Sequence, residues 1–362
     1  MFVVICDTLI CFVLIIAMDY SSEDDFDDYI LETINLQRTI STRKVIRDFQ
    51  NPFDYYSADE FKRRYRFSKD IVVHILLPII NADLSKVTSR GLPVPPVYQL
   101  LVALRFYSSG SFQVYLIKVS QPTVSRIVRR VSYLFCLKMQ RFVKFPINLE
   151  TIKEQFYSIG SFPGIIGAID GTHIPIQNPG GAYAEVFRNR KKYFSINVQI
   201  VCGPDLIIYD IVADRPGSVH DNRIFQASLL KRKMEQGVID GILLGDSGYG
   251  CQKYLLTPVL QPETLSEENY NKAHIKTRNT VERTIGVWKR IFPCLSKKLA
   301  TNLTTTCHVI VATAVLYNIC RSHGFVEEIG DIDTTTRQNI RNTQSSSREG
   351  LLFRRSFIIR HF

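Results

Sequence analysis

Residues Gly167–Pro175 read Gly-Ala-Ile-Asp-Gly-Thr-His-Ile-Pro, and this stretch decides the fold of the chain. The apolar run that begins just before it, at Ile165, predicts a buried strand of a sheet that ends at Asp170. An ionised carboxylate at the end of a buried strand is costly to desolvate unless it is paired or binds a cation. Asp170 is therefore a candidate cation ligand, provided that other carboxylates converge on it.

The pattern after Asp170 is typical of a domain that mixes strands and helices. Alternating apolar residues predict strands, Gly-Pro-Asp predicts a turn between two of them, and apolar residues at helical spacing predict helices. The predicted elements are strands at Tyr193–Val201 and Leu206–Val212, a helix at 224–234, a short strand ending on Asp246, a polar connection at 257–279, and helices at Thr280–Phe292 and Thr304–Cys320.

Three of these elements carry acidic residues that can meet. Two neighbouring strands that each end on aspartate would place Asp170 and Asp246 side by side at one edge of a sheet. Glu282 follows Asp246 after thirty-five residues, on a helix that can pack across the same sheet. Carboxylate oxygens suit Mg²⁺ or Mn²⁺, and such ions activate water or a 3′-hydroxyl at a phosphodiester. The sequence therefore predicts a catalytic triad of Asp170, Asp246 and Glu282.

Asp221 is a fourth candidate metal ligand, and two interpretations of it are open. It begins a helical run, where it could bind the metal or could cap the helix, since Asp is a favoured N-cap residue. Asp246 has an alternative as well, as a turn residue before Ser-Gly at 247–248. The predicted metal site comprises Asp170, Asp221, Asp246 and Glu282, and the topology favours Asp246 as the second member of the triad.

Residues 59–150 predict a small all-α domain before the α/β domain. The helix that begins near Gln121 has an apolar stripe, whereas its outer face carries Arg126 and Arg129. Polar and basic side chains at a helix N-terminus suit a recognition helix in the DNA major groove, so the region is interpreted as helix-turn-helix-like. The alternative is an ordinary surface helix with a solvated basic face. The segment at 112–118 is short for a first helix and a turn.

The catalytic α/β domain is predicted to span residues 160–325, with less regular segments at both ends of the chain. Residues 1–58 are interpreted as a disordered N-terminal arm, and residues 326–362 as a C-terminal tail. The apolar stretch 1–18 is either a signal peptide or anchor, or an extension upstream of a translation start at Met18. Its shortness and the lack of a basic region before it favour the second interpretation, so no membrane attachment is expected.

The amino-acid composition favours some classes of protein and of binding partner over others. Of the 362 residues, 45% are hydrophobic and 22% are charged, which is typical of a globular protein. The formal net charge of +11 favours a polyanionic partner, with nucleic acid before an acidic membrane. The eight cysteines include no C-x-x-C pair, so buried reduced thiols are expected instead of a zinc site or a disulfide framework.

Four sequence motifs closely resemble those of the PIF/Harbinger transposases and of the harbinger transposase-derived nucleases of animals. They are GAIDGTHIPI, RPGSVHDNRIF, LLGDSGY and NTVERTIGVWKRIFP. The resemblance runs from about residue 60 to the C-terminus, and the segment 119–131 resembles the helix-turn-helix of that family. It departs from the family at 115–118, which reads Tyr-Leu-Ile-Lys where the family has an acidic residue and a glycine in the turn.

The resemblance implies a DDE-type catalytic domain with a ribonuclease-H-like mixed sheet. It also implies a metal-dependent DNA endonuclease that uses Mg²⁺ or Mn²⁺, a nuclear location with the cytoplasm as a second site, a separate Myb-like DNA-binding partner and a homo-oligomer. The alternative is a domesticated, non-catalytic DNA-binding or partner-binding protein on the same fold. Weaker candidates for contacts with phosphate or with the ligands are His173, His220, Arg283 and the basic run 188–192.

Overall fold

The structure is a computed structural model, and it describes residues 50–85, 94–112, 119–324 and 346–362. The predictions for residues 1–49, for the turn at 115–118 and for residues 326–345 of the tail lie outside the described residues. Residues 50–57, which the sequence assigned to the disordered arm, are folded, since Asn51 caps a short helix and the ring of Phe53 lies 5.1 Å from that of Phe61.

A five-stranded mixed sheet forms the centre of the α/β part, in agreement with the mixed sheet that the resemblance implied, although the fifth strand was not predicted. The strands are β1 (Ile165–Pro175), β2 (Ser195–Cys202), β3 (Ile208–Pro216), β4 (Ile242–Leu244) and β5 (Leu255–Leu256). Their order in the sheet is β3-β2-β1-β4-β5. The first three strands pair antiparallel, whereas β4 and β5 continue the sheet in parallel with β1. This mixed arrangement is consistent with a ribonuclease-H-like DDE domain.

The prediction that the first strand ends at Asp170 is wrong, because β1 continues to Pro175. On one side, the parallel pairing with β4 stops at the pair Ala168 and Leu244. On the other side, the antiparallel pairing with β2 continues from Ala168 to Pro175. The change from apolar to polar residues therefore marks the point after which β1 pairs with β2 alone. We call this part of the sheet, which begins after Ala168 and contains Asp170, the shoulder of the sheet.

Helices pack against this sheet, and further helices precede it in the chain. Several begin at sequence-encoded caps, such as the capping box of Ser57 with Glu60. They are α1 (Pro52–Tyr55), α2 (Ala58–Tyr65), α3 (Lys69–Ile71), α4 (Leu77–Leu84), α5 (Pro96–Ser109), α6 (Gln121–Leu137), α7 (Met139–Phe142), α8 (Leu149–Gly160), α9 (Asp221–Gln226), α10 (Leu229–Glu235), α11 (Leu265–Ile291), α12 (Leu303–Ser322) and α13 (Arg348–His361). A π-helical turn, Val72–Leu76, joins α3 to α4.

The sheet separates two hydrophobic layers, because successive side chains of a strand point to opposite faces. On one face, Ile165, Leu244 and Leu256 pack with side chains of α8, α11 and α13. On the other face, Ile169 and Leu243 pack with side chains of α9 and α10. The acidic candidates can therefore approach the shoulder of the sheet from both faces.

The prediction of a polar connection over 257–279 is wrong for most of that range. The helix α11 begins at Leu265 and runs for 27 residues without a break through Glu282. Thr264 and Glu267 form a capping box at its start, which is a strong local signal for a helix N-terminus. As a result, the residues one and two turns before Glu282 are part of the same rigid element.

The helices before residue 150 pack on the rest of the chain within one compact unit, Phe49–Phe362. The helix α6 buries its apolar stripe against α5 and α12, and the ring of Phe67 lies 6.5 Å from that of Phe292. Gln121, Arg126 and Arg129 are exposed on the outer face of α6, as the sequence predicted. That this region is a separate DNA-binding domain with a boundary near 150–160 stays a prediction.

Two apolar segments have core positions. Among the described residues, α12 alone is long and apolar enough to cross a bilayer, but 78% of its apolar window is buried inside the protein, which is typical of a core helix. The predicted tail contains α13, whose Phe357 and Ile358 complete the same hydrophobic layer as Phe162. All six cysteines of the described part are buried and free, in agreement with the sequence.

Candidate active site

The sheet register places two of the predicted aspartates at the same level. Ala168 on β1 lies opposite Leu244 on β4 in the parallel pair. Asp170 and Asp246 each follow two residues later, so both lie just past the point where the two strands stop pairing. In this position, repulsion from Asp246 contributes to the raised pKa of Asp170, after the larger effect of burial.

Asp221 reaches the same shoulder from the face of the sheet opposite to the Asp170 side chain. It is the first residue of α9, and His220 holds the N-cap position, so the N-cap interpretation of Asp221 is wrong. Its carboxyl group lies where a side chain on residue 171 would be, and the glycine at that position leaves the space open. Gly171, the residue after Asp170 in the opening motif, is thus required for the approach of Asp221.

Each of the three aspartates is held by a hydrogen bond. The backbone N–H of Gly171 donates to Oδ1 of Asp170 at 2.9 Å, and that of Gly248 donates to Oδ1 of Asp246 at 2.9 Å. The second bond shows that Asp246 also has the turn role that the sequence allowed. Nδ2 of Asn197 donates to Oδ1 of Asp221 at 2.7 Å. These bonds fix the carboxyl groups before any ligand arrives.

The cluster is short of positive charge. Burial raises the pKa of Asp170 to about 7; Arg278 lowers it, while repulsion from Asp246 and Asp221 adds to the increase. Burial also raises the pKa values of Asp246 and Asp221. A group of carboxyl groups that resist ionisation together is typical of a site that gains stability from a bound cation.

Glu282 joins the cluster through Arg278, which precedes it by one turn of α11. Nη1 of Arg278 donates to Oδ2 of Asp170 at 3.3 Å, and Nη2 donates to Oε1 of Glu282. The side chain of Arg278 is only 12% exposed, so the ion pairs are poorly screened. The guanidinium group therefore lies between two members of the predicted triad.

The chemistry of these residues fits a divalent cation, whereas their present arrangement includes a competing cation. Carboxylate oxygens are the ligands that Mg²⁺ and Mn²⁺ prefer, and burial, with a smaller contribution from repulsion between the carboxyl groups, raises the pKa values of Asp170 and Asp246. Across the described ranges, no three acidic, histidine or cysteine side chains converge closely enough to hold a metal ion as they stand. The guanidinium of Arg278 already binds oxygens of Asp170 and Glu282, which accounts for this arrangement.

Sequence reasoning missed three residues that shape the site: Arg278, Asn197 and Lys289. The ammonium of Lys289, two turns after Glu282 on α11, donates to Oγ1 of Thr172 at 2.6 Å and to the carbonyl oxygen of His173 at 3.0 Å. A helix start recognised at the capping box would have revealed that Arg278, Glu282 and Lys289 share one helix face. Asn197 gave no local signal.

Three of the weaker candidates, His173, Arg188 and His220, have structural partners. Nδ1 of His173 lies 3.0 Å from Oγ of Ser195, and burial lowers the pKa of this histidine. Arg188 forms an ion pair with Glu185 at 2.7 Å. The ring of His220 contacts Arg190 beside Asp221, and Arg283 is exposed on α11. Contact of any of these residues with a phosphate stays a prediction.

Comparison with known proteins identifies the family of the chain. The model of the DDE superfamily endonuclease family matches residues 169–318, which include all four acidic candidates. The mouse protein named "Putative nuclease HARBI1" is 33% identical over 312 residues, 82% of this chain and 89% of the relative. The human protein of the same name is 30% identical over the same shares of the two chains.

A more distant relative comes from a plant. The protein "ALP1-like" of Arabidopsis thaliana is 28% identical over 220 residues, 56% of this chain and 54% of the relative. No solved structure matches the chain. The matched region contains the strand of Asp170, the turn of Asp246 and the helix of Glu282, and the animal relatives cover most of the chain. The protein therefore belongs to the harbinger transposase-derived nuclease family, within the DDE superfamily of endonucleases.

Proposed function

We propose that the protein is a divalent-metal-dependent DNA endonuclease of the DDE type, either a Harbinger-like transposase or a nuclease derived from one. The observation that carries the proposal is that Asp170, Asp246 and Asp221 lie at one shoulder of the sheet, with Glu282 joined to Asp170 through Arg278. Membership of a nuclease family supports the same reaction class.

Asp170, Asp246 and Glu282 would hold the Mg²⁺ or Mn²⁺ ion, with Asp221 as a fourth candidate ligand. The bound ion would activate the attacking water or 3′-hydroxyl and stabilise the charge on the leaving oxygen. The backbone donors of Gly171 and Gly248 orient the first two carboxyl groups, and Asn197 orients the Asp221 carboxyl group.

Positive charge for the DNA backbone is present two and three residues after Asp170 on β1, where Lys289 contacts Thr172 and His173. Burial lowers the pKa of Lys289 to about 8, and the nearby Lys191 adds to the decrease. Its ammonium group is therefore still mostly protonated at neutral pH and has only neutral oxygens of Thr172 and His173 as the partners described above. A phosphate next to the carboxylate cluster would supply the missing negative charge, so we assign Lys289 to a backbone phosphate.

Cleavage of supercoiled plasmid DNA by the purified full-length protein tests the proposal. We expect nicking with Mg²⁺ or Mn²⁺ and none with a chelator. Replacement of one carboxylate by the isosteric amide, in Asp170→Asn, Asp246→Asn or Glu282→Gln, should lower the rate at least about 100-fold, because a metal ligand is lost. Asp240→Asn is the control, since Asp240 is an exposed acid away from the cluster. Equal rates for Asp170→Asn and Asp240→Asn would refute the catalytic role.

The second function is a domesticated, non-catalytic DNA-binding or partner-binding protein on the same fold. The position of Arg278 favours it, since a guanidinium group neutralises part of the acidic cluster without any metal. A relative from Arabidopsis thaliana, 24% identical over 263 residues, is named "Antagonist of like heterochromatin protein 1", a name that describes antagonism of another protein and mentions no nuclease. DNA binding without metal-dependent nicking at any cation concentration would favour it over the nuclease.

The cellular setting follows from the proposed substrate. We place the protein in the nucleus, with the cytoplasm as a second site, where it would act on DNA as a homo-oligomer and together with a separate Myb-like DNA-binding protein. A fluorescent fusion would test the location. Co-purification of the full-length chain with the Myb-like protein encoded in the same genome would test the partner.

A further inference from the structure

The side chain of Arg278 occupies the position at which the predicted metal ligands come closest to one another. It uses two separate nitrogen atoms, Nη1 for Oδ2 of Asp170 and Nη2 for Oε1 of Glu282. Asp170 lies on β1 and Glu282 lies on α11, so the guanidinium group bridges the sheet and the helix. An ordinary ion pair between neighbours on a helix surface would make the contact with Glu282 but not the contact with Asp170.

Arg278 interacts with three carboxyl groups. Its guanidinium group contacts Asp170 and Glu282, and Asp246 also attracts it. Because these carboxyl groups share the guanidinium group in a buried site, the cluster favours the binding of further positive charge. A divalent cation would satisfy it better than one guanidinium group does.

The guanidinium group and a divalent cation require the same oxygen atoms. A Mg²⁺ or Mn²⁺ ion contacts its carboxylate oxygens directly, at roughly 2.1 Å, and Oδ2 of Asp170 and Oε1 of Glu282 already accept hydrogen bonds from Arg278. Both cations cannot use these oxygens at the same time without strong repulsion in a poorly solvated site. The side chain of Arg278 is long and can rotate away from the cluster, whereas Glu282 stays in place one turn later on the helix.

We propose that Arg278 is an internal counter-ion that holds Asp170 and Glu282 together in the metal-free protein and is displaced when a divalent cation binds. Arg278 is thus a positioning residue, and competition from its guanidinium group sets the metal affinity of the site. The inference rests on the proposed function in one respect, that the cluster binds a divalent cation.

The binding of Mn²⁺ to the full-length protein, followed by electron paramagnetic resonance and by calorimetry, tests the inference without any DNA cleavage. Arg278→Gln removes the competing charge and should bind Mn²⁺ about tenfold more tightly than the natural chain, equivalent to ~1.4 kcal/mol. Lys276→Gln removes an exposed charge from the same helix and should leave the affinity unchanged within about twofold, a small difference on the same scale. Asp170→Asn should abolish the binding in either background.

Thermal unfolding tests separately whether Arg278 stabilises the metal-free protein and whether it competes with the metal. Without metal, Arg278→Gln should unfold at a lower temperature than the natural chain, because the carboxyl groups lose their counter-ion. Saturating Mn²⁺ should raise its unfolding temperature by more than it raises that of the natural chain. Arg278→Lys keeps the charge but not the two-pronged geometry, so it should give an intermediate Mn²⁺ affinity and serves if the glutamine variant does not fold.

The outcomes distinguish this inference from the proposed function. If the natural chain takes up Mn²⁺ through Asp170 and Arg278→Gln binds it no more tightly, the counter-ion role is wrong and the metal-dependent function stands. If neither protein takes up Mn²⁺ at millimolar concentration, both are wrong.

Discussion

Gly171→Ala is the substitution that most directly tests how the site is built. A Cβ atom on residue 171 would overlap the carboxyl group of Asp221, with Oδ2 only 2.9 Å away and the other carboxyl atoms closer. The carboxyl group must shift by about 1 Å to restore ordinary contact distances of ~3.5 Å. That shift breaks its hydrogen bond with Asn197, which measures 2.7 Å.

The size of the effect follows from these contacts. Loss of a hydrogen bond to a charged group costs about 1.5–3 kcal/mol, so the free energy of unfolding should fall by about 2 kcal/mol. A misplacement of about 1 Å in an active site lowers rates by roughly 100-fold. We therefore expect Gly171→Ala to remain folded at 25 °C but to lose about 99% of its metal-dependent nicking activity.

Gly167→Ala is the matched control on the same strand. Its Cβ would be closest to two apolar atoms, at 2.7 Å from Cγ1 of Val201 and 3.0 Å from Cδ2 of Leu243, with the carbonyl oxygen of Cys202 at an ordinary contact distance of 3.4 Å. Overpacking of this kind costs ~1–3 kcal/mol, similar to the loss expected for Gly171→Ala, without displacing a carboxylate. Urea unfolding and plasmid nicking of both variants provide the comparison. If the two variants lose stability and activity to the same extent, the position of Asp221 has no role in the reaction.

Burial lowers the pKa of His274 to about 3, so below pH 6.5 the unfolded chain binds a proton that the folded chain does not. Between pH 7.5 and pH 5 the free energy of unfolding of the natural chain should therefore fall by about 2 kcal/mol more than that of His274→Gln, as measured by urea unfolding. Lys289→Met should weaken DNA binding for every sequence and reduce the slope of affinity against salt by about one, and an unchanged slope would contradict contact with a phosphate. Phe357→Ala should lower the free energy of unfolding by about 3 kcal/mol, because its ring is buried against Phe162, whereas Leu352→Ala on the exposed face of α13 should change it by less than about 0.5 kcal/mol.

The order of strands and helices could be predicted from the sequence because it depends on local patterns. Alternation placed the hairpin of β2 and β3, and the apolar run placed the strand of Asp170, since burial of one or both faces leaves a periodic trace. The predictions for the end of β1 and for the start of α11 were wrong for different reasons. The first depends on how long a partner strand lies alongside, which no local pattern records, whereas the second was encoded in the capping box at Thr264 and Glu267.

The sequence by itself determined the family of the chain and the candidate acidic residues, because Asp170, Asp246 and Glu282 lie in recognisable motifs on predicted elements. Only the tertiary structure decided how these groups meet. Arg278 contacts Asp170 across 108 positions of the chain, and Asp221 uses the space that Gly171 leaves open. Such contacts depend on strand register and on the docking of α11 against the sheet, so they arise from packing between distant segments and leave no periodic signal along the chain.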